Sequence, residues 1–267
     1  MREEPFTLKV EGFDLVGALL VPQGAGVHPG LIISHGIPAG VQEPRDRGYP
    51  ALAERFCAGG FLTAIFNFRG CGLSGGDFEI RGWTRDLAAV TDYMAGRPEL
   101  DTRFLGLMGF SGGAAASVYQ GSRDKRVTAV VSCSCPVVFE HFRDEAAARE
   151  FLGRARQIGI IRKLGYPSSL KDWMAGFEEV APVRWVAGVA PRPLLLLHGS
   201  QDDLIPVEQA WELYRAAGEP KEIRIIEGAG HKLRTEEQAM GIALEWLRGR
   251  AGCKPAPAGG QPAGQAL

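Results

Sequence analysis

What this 267-residue sequence is short of narrows its function before any motif is found. Charge of one sign is missing: 30 Lys and Arg face 31 Asp and Glu, a formal net charge of −1. With no basic field and no long block of like charge, nothing points to nucleic acid or an acidic lipid surface as a partner. Long apolar runs are missing too, none approaching the roughly 20 residues needed to cross a bilayer. The opening Met1-Arg2-Glu3-Glu4-Pro5 lacks the basic-then-apolar order of a secretory signal. The expectation is a soluble, cytoplasmic protein that binds neither membrane nor nucleic acid.

Cysteine is sparse and odd in number, at positions Cys57, Cys71, Cys133, Cys135 and Cys253. Such scatter argues for reduced, partly buried thiols and against a disulfide framework. Cys133 and Cys135, two apart in a strand-like segment, are expected to share one face. No His, Cys and Glu cluster has metal-ligand spacing, so neither metal nor cofactor is expected. A phosphate-binding signature is also lacking. The glycine-rich stretch Arg69–Gly76 matches neither G-x-x-x-x-G-K-[ST] nor a strand–G-x-G-x-x-G–helix unit, and reads as a tight turn.

What is present is an alternation of apolar runs with amphipathic segments, the signature of a mainly parallel α/β sheet. An antiparallel hairpin is predicted from 6–10 and 15–21 around Glu11-Gly12-Phe13-Asp14. Strands follow over 30–35, 62–68, 104–108, 127–132, 194–197 and 222–226. Helices are predicted over 49–57, 84–94, 112–119, 207–217 and 236–248. Residues 137–190 break the rhythm and read as an insertion with one helix over 140–158 and another over 169–180. The Ala-, Gly- and Pro-rich stretch from 251 to 267 cannot bury a core and reads as a flexible tail. Residues 1–250 are thus expected to form one domain.

The chemistry concentrates at three places. Gly109-Phe110-Ser111-Gly112-Gly113 matches G-x-S-x-G between an apolar strand and a small-residue helix. A strand that reverses into a helix within two residues forces the central serine into a strained conformation and lifts its Oγ above the sheet. A serine hydroxyl needs a base. His231, in Gly228-Ala229-Gly230-His231 between a strand and a helix, is the candidate. His35 and His198 end strands as His-Gly pairs, where a structural hydrogen bond is expected, and His28 and His141 lack any such setting. The acid lies in His198-Gly199-Ser200-Gln201-Asp202-Asp203; pattern alone does not decide between the two aspartates, the other of which is expected to cap the helix near Pro206. Oxyanion donors are expected from the backbone N–H groups of Gly112 and Ile37, since Pro38 has none. Arg69 reads as a loop anchor, and Asp86 as serving the first turn of its helix.

Taken together, His35-Gly36, Asn67-Phe68-Arg69-Gly70-Cys71-Gly72-Leu73-Ser74, Gly109–Gly113, His198-Gly199-Ser200-Gln201-Asp202 and Gly230-His231 resemble the α/β-hydrolase superfamily, most of all its serine aminopeptidase and carboxylesterase-like branch. The resemblance runs over roughly 15–248. The family's His-Gly-x-x-Asp-x-x-Val-Pro motif places the acid at Asp202, with Ile205-Pro206 where Val-Pro is usual. Isoleucine stands at 37 where an aromatic or a glycine is frequent. The resemblance implies an eight-stranded, mostly parallel sheet whose second strand is antiparallel, and a small helical cap after the sixth strand, matching 137–190. The cap is expected to roof the nucleophile and set substrate choice.

It implies a catalytic triad of Ser111, His231 and Asp202 acting on a small-molecule acyl substrate, with a carboxylic ester as the expected bond. Peptidase or aminopeptidase, acyl thioesterase and carbon–carbon or enol-lactone hydrolase use the same machinery. A silent protein that only binds a small ligand is the alternative of another class.

Overall fold

The β-hairpin at the start of the chain is longer than its apolar pattern suggests, because its turn is tight. Val10 pairs with Phe13 across a two-residue turn in which Glu11 (φ 47°) and Gly12 (φ 90°) are both left-handed. That backbone matches the twist of the flanking strands, so Lys9 and Asp14 also join the ladder. The computed structural model describes residues 1–38, 40 and 48–252.

The hairpin strands β1 (Arg2–Val10) and β2 (Phe13–Val21) form one edge of an eight-stranded sheet. β3 (His28–Ser34), β4 (Leu62–Phe66), β5 (Leu100–Phe110), β6 (Ala129–Cys133), β7 (Leu194–Gly199) and β8 (Lys221–Ile226) complete it, in the order β1-β2-β4-β3-β5-β6-β7-β8. β2 is antiparallel to both of its neighbours, and β4 through β8 run parallel by way of β3. This is the α/β-hydrolase sheet that the sequence resemblance implies. Strand β5 runs well beyond the predicted 104–108, and its pairing with β3 shifts register between Pro29 and Gly30.

Side-chain alternation along the buried strands divides the core in two. Leu31, Ile33, Met108 and Leu197 meet α1 (Gly48–Ala58) and α7 (Glu237–Arg250) through Phe56 and Leu247. On the other face Ile32, Leu107, Val130 and Leu196 meet α2 (Ile80–Ala95), α3 (Gly112–Arg123) and α6 (Val207–Ala216). Among the described residues no helix is long and apolar enough to cross a membrane.

Between β6 and β7 lie α4 (Glu145–Gln157) and α5 (Leu170–Glu179), a helical insertion where one was expected. The single helix expected over 140–158 is broken. A 3-10 turn covers Glu140–Phe142, and α4 starts afresh because the Asp144 carboxylate accepts the Ala147 N–H at 2.7 Å as its N-cap. The insertion is anchored on α2 and the loop before it. Phe142 stacks on Phe177 with centroids 3.8 Å apart, Trp173 donates its indole N–H to the Phe78 carbonyl (3.2 Å), and Arg81 grips Glu179 through two 2.7 Å bonds. Beyond Gly252 the expected tail, with Cys253, lies outside the described residues.

Candidate active site

The end of β5 and the start of α3 leave one residue to make the reversal, and that residue is Ser111. Its backbone sits at φ 52° and ψ −119°, a conformation that L-residues avoid and that stores on the order of 1–3 kcal/mol. The surroundings hold it there: its N–H donates to the Cys133 carbonyl (2.9 Å), and its carbonyl accepts the Ala114 and Ala115 N–H groups (2.9 and 3.2 Å). Glycine on either side is obligatory. A Cβ on Gly109 would lie 2.6 Å from the Ala114 Cα, and one on Gly113 would lie 2.7 Å from the Ser34 carbonyl oxygen. The helix can therefore start directly on the sheet.

Two loops at the far side of the sheet converge on the same rim. The loop after β7 is laced to the loop after β8: Gln201 N–H donates to the Ala229 carbonyl (2.9 Å) and Gly228 N–H to the Ser200 Oγ (2.9 Å). This brings the His231 Nδ1 to 3.0 and 2.9 Å from the two carboxylate oxygens of Asp202. Asp202 has further donors. Its Oδ1 accepts the N–H groups of Leu204 (3.0 Å) and Ile205 (2.9 Å), and its Oδ2 lies 3.3 Å from the His198 Nε2. Burial works to raise the carboxyl pKa, but the hydrogen bonds from His198, His231 and the Ile205 backbone outweigh it and hold Asp202 far below the carboxylate range. It is an anion aimed at an imidazole.

The adjacent Asp203 is exposed and does not cap a helix. Helix α6 begins at Val207 with Pro206 as its N-cap and no side-chain cap, and it is Asp202 that gathers the loop N–H groups. The expected side-chain cap of that helix is therefore absent, and Asp202 holds both the loop N–H groups and the His231 ring.

The loop after β3 closes over the serine turn. A Cβ on Gly36 would come within 3.1 Å of the Ser111 Cβ, and one on Gly112 within 2.8 Å of the Ile37 Cγ1, so Ile37 lies directly against Gly112. His35 grips this loop from below: its Nδ1–H donates to the Gly36 carbonyl (2.7 Å) while its Nε2 accepts the Phe68 N–H (3.1 Å). The Gly36 carbonyl and the Ile37 N–H belong to one planar peptide, so holding the first sets the direction of the second. Burial pushes the His35 pKa down to about 4, against the opposing bond to Gly36, and keeps the ring neutral with a donor and an acceptor in fixed places.

Ser111, His231, Ile37 and Asp203 line one cavity of about 1050 Å³, which extends past Tyr49 and Phe110 to Ile65 and Ala18. Its lining takes no residue from 137–190. The expectation that the insertion roofs the nucleophile is therefore corrected. The aromatic side chains of the insertion pack on Phe78 and on each other.

Comparison with known proteins agrees with this architecture. The model of the prolyl oligopeptidase family matches residues 51–248. The chain belongs to that family. It is 24% identical to the thiohydrolase aneE of Aspergillus aculeatus, over 84% of each chain. It is also 24% identical to the uncharacterized protein PA2218 of Pseudomonas aeruginosa, over 82% of this chain and 72% of that one. Among solved structures it resembles the α/β hydrolase GrgF of Penicillium sp. sh18, with a TM-score of 0.74 and 18% identity over 94% of this chain and 100% of that one. The esterase domain of a Rhodothermus marinus protein gives a TM-score of 0.66 at 20% identity, over 92% of this chain and 96% of that one. The α/β-hydrolase reading is borne out, and the protein is an enzyme of that fold.

In this prolyl oligopeptidase family member several sequence expectations need correction. Asp86 does not serve a first turn, because α2 begins at Ile80, well before the predicted 84. Its carboxylate is wholly buried and accepts the Arg69 backbone N–H (2.9 Å) and guanidinium (2.7 Å at Nη2). Arg69 does anchor loops: it reaches Glu11 (2.7 Å) as well, tying the hairpin turn to α2. The glycine-rich stretch is a turn clasped by Ser74, whose Oγ donates to the Asn67 carbonyl (2.6 Å) and accepts the Val16 N–H (2.9 Å). Cys71 and Gly72 from it line the Ser111 cavity.

Cys133 and Cys135 do not share a face. Strand β6 ends at Cys133, Ser134 turns the chain at φ 46°, and the two thiols enter opposite core clusters. The four described cysteines are free and buried. Burial pushes the Cys57 thiol up to about 11 and the Cys71 and Cys135 thiols up to about 12, so they stay protonated. Among the described residues no group of three or more His, Cys, Asp and Glu could hold a metal ion.

Sequence reasoning missed Tyr49, which no motif marks. At the first turn of α1 it lines the cavity, and its hydroxyl accepts the Gly36 N–H at 3.3 Å. Burial raises its pKa to about 12, so it remains a phenol.

Proposed function

We propose that the protein is a serine hydrolase that cleaves carboxylic ester bonds of small acyl substrates through an acyl-enzyme on Ser111. The observation that carries this reading is the 2.9 Å contact between the His231 Nδ1 and the buried Asp202 carboxylate, at the wall of the cavity that also holds Ser111. A carboxylate so placed fixes the imidazole with its proton on Nδ1, leaving Nε2 as the base.

In the proposed cycle His231 Nε2 takes the Ser111 hydroxyl proton as Oγ attacks the acyl carbonyl. Asp202 stabilises the imidazolium that forms. The backbone N–H groups of Ile37 and Gly112 hold the tetrahedral oxyanion, Gly112 from the N-terminus of α3 and Ile37 from the loop gripped by His35. The imidazolium returns its proton to the leaving alcohol, and the acyl-enzyme remains. Water, deprotonated by the same histidine, then releases the carboxylic acid and restores the serine. The cycle needs no cofactor.

A thioester is the second reading, favoured by the relative whose name is thiohydrolase, since it replaces only the leaving oxygen by sulfur. Amide cleavage, the reaction in the family's name, asks for stronger protonation of a poor leaving group. We also take the protein to be cytoplasmic, acting on a dissolved substrate without nucleic acid or membrane, and residues 1–250 to be a single hydrolase domain.

A fluorophosphonate probe tests the machinery and a substrate panel tests the bond. Ser111 is expected to label in the wild type and not in Ser111→Ala, whose turnover is expected to fall on the order of 10⁶-fold. p-Nitrophenyl esters of graded length, an acyl-CoA and an aminoacyl anilide then rank ester, thioester and amide. Ester turnover by Ser111→Ala near the wild-type rate would refute the assignment.

A further inference from the structure

His198 ends β7 with its ring almost wholly enclosed, 1% exposed, and the proposed cycle leaves it without a role. Its Nε2 lies 2.8 Å from the Ile205 carbonyl oxygen. A carbonyl only accepts, so Nε2 carries the proton. The same nitrogen is 3.3 Å from the Asp202 Oδ2, so one N–H is shared between a backbone carbonyl and the carboxylate.

We propose that His198 is a positioning residue for the triad acid: its Nε2–H locks the carboxylate of Asp202 and the turn that follows it, and so sets the direction of His231. The proposal rests on the reading of Asp202 as the acid that orients His231. The geometry closes on itself. Ile205 gives its N–H to the Asp202 Oδ1 and receives the His198 N–H at its carbonyl, so residues 202–205 form a short loop tied to the strand end. The Leu204 N–H completes the Oδ1 side, and His231 and His198 hold Oδ2 between them. Rotation of the carboxylate about its terminal bond would break contacts on both oxygens at once. With the His198 donor gone, Oδ2 is held by His231 alone and the Ile205 carbonyl is left buried without that partner. The imidazole that must meet Ser111 then rests on an acid held on the Oδ1 side by backbone alone.

The test is a matched set of substitutions. In His198→Gln the side-chain amide nitrogen can stand where Nε2 stood. His198→Met has the same reach and no donor, and His198→Asn carries an amide too short to reach. The first readout needs no turnover: the low-field proton NMR resonance of the His231 Nδ1–H bonded to Asp202. It is expected to persist in His198→Gln and to broaden into solvent exchange in His198→Met and His198→Asn. For a short p-nitrophenyl ester, kcat is expected to fall on the order of 10- to 100-fold in the Met and Asn variants, with KM within about twofold of wild type. His198→Gln is expected to recover most of it.

Melting curves identify any variant that fails to fold, and either donor-free variant suffices for the comparison. The proposal is overturned if a folded donor-free variant keeps both resonance and kcat, or if His198→Gln loses them as fully, since the ring's shape would then be what matters. A donor-dependent resonance in a protein that no fluorophosphonate labels would leave the His198 lock standing and remove the Ser111 reading instead.

Discussion

At His35 the imidazole serves the site through its neutrality, and its surroundings enforce that. With a folded pKa of about 4 against 6.5 for the free side chain, the folded ring stays unprotonated through a range where the unfolded chain binds a proton. Above pH 6.5 both states are neutral and the full stability is present. As pH falls toward 4 the unfolded state is favoured, by on the order of 3 kcal/mol in all. Urea midpoints at pH 7.5 and pH 4.5 are expected to differ less in His35→Gln than in the wild type; an unchanged difference would assign the acid sensitivity elsewhere. The motif residues around His35 were legible one by one because each is demanded by local chain geometry, glycine at 109 and 113 above all. The choice between Asp202 and Asp203 was not legible in the pattern. Two neighbouring carboxylates differ only in which way they face, and in three dimensions one lies buried against His231 while the other lines the cavity.

Among the elements, α2 shows why a helix start was misplaced. The helix runs through Gly82, whose missing side chain leaves room for Arg69: a Cβ there would stand 2.6 Å from the guanidinium carbon. The pair that results, Arg69 with Asp86, holds the glycine-rich turn to the helix. Asp86→Ala would leave a buried guanidinium without its main partner, and is expected to lower stability by about 3–5 kcal/mol in denaturant titration. A loss below about 1 kcal/mol would mean that Glu11 suffices. Apolar periodicity carries no trace of such a contact, since the partners are 17 residues apart and the bond spans a loop and a helix.

On the scale of the whole molecule, the insertion between β6 and β7 contributes nothing to the lining of the cavity that holds Ser111 and His231. Arg81, 20% exposed in its side chain and bonded to Glu179 and Asp172, is one polar fastening, beside Arg162, whose guanidinium reaches the carbonyls of Ser74, Gly70 and Gly72. Arg81→Ala is expected to cost roughly 1 kcal/mol of stability, while kcat/KM for a short ester stays within about twofold. A large change in KM would bring the insertion back into substrate recognition.

The order of strands and helices, the strained serine and the histidine loop follow from the chain alone. Each depends on residues within a few positions of one another, and short-range sterics and side-chain alternation dictate them. The resemblance's motif singles out Asp202 in advance, whereas whether the insertion lines the serine's cavity and what Tyr49 and His198 hold were decided only when distant segments met. Those outcomes depend on directions in space between surfaces dozens of residues apart, and no local spacing encodes a direction.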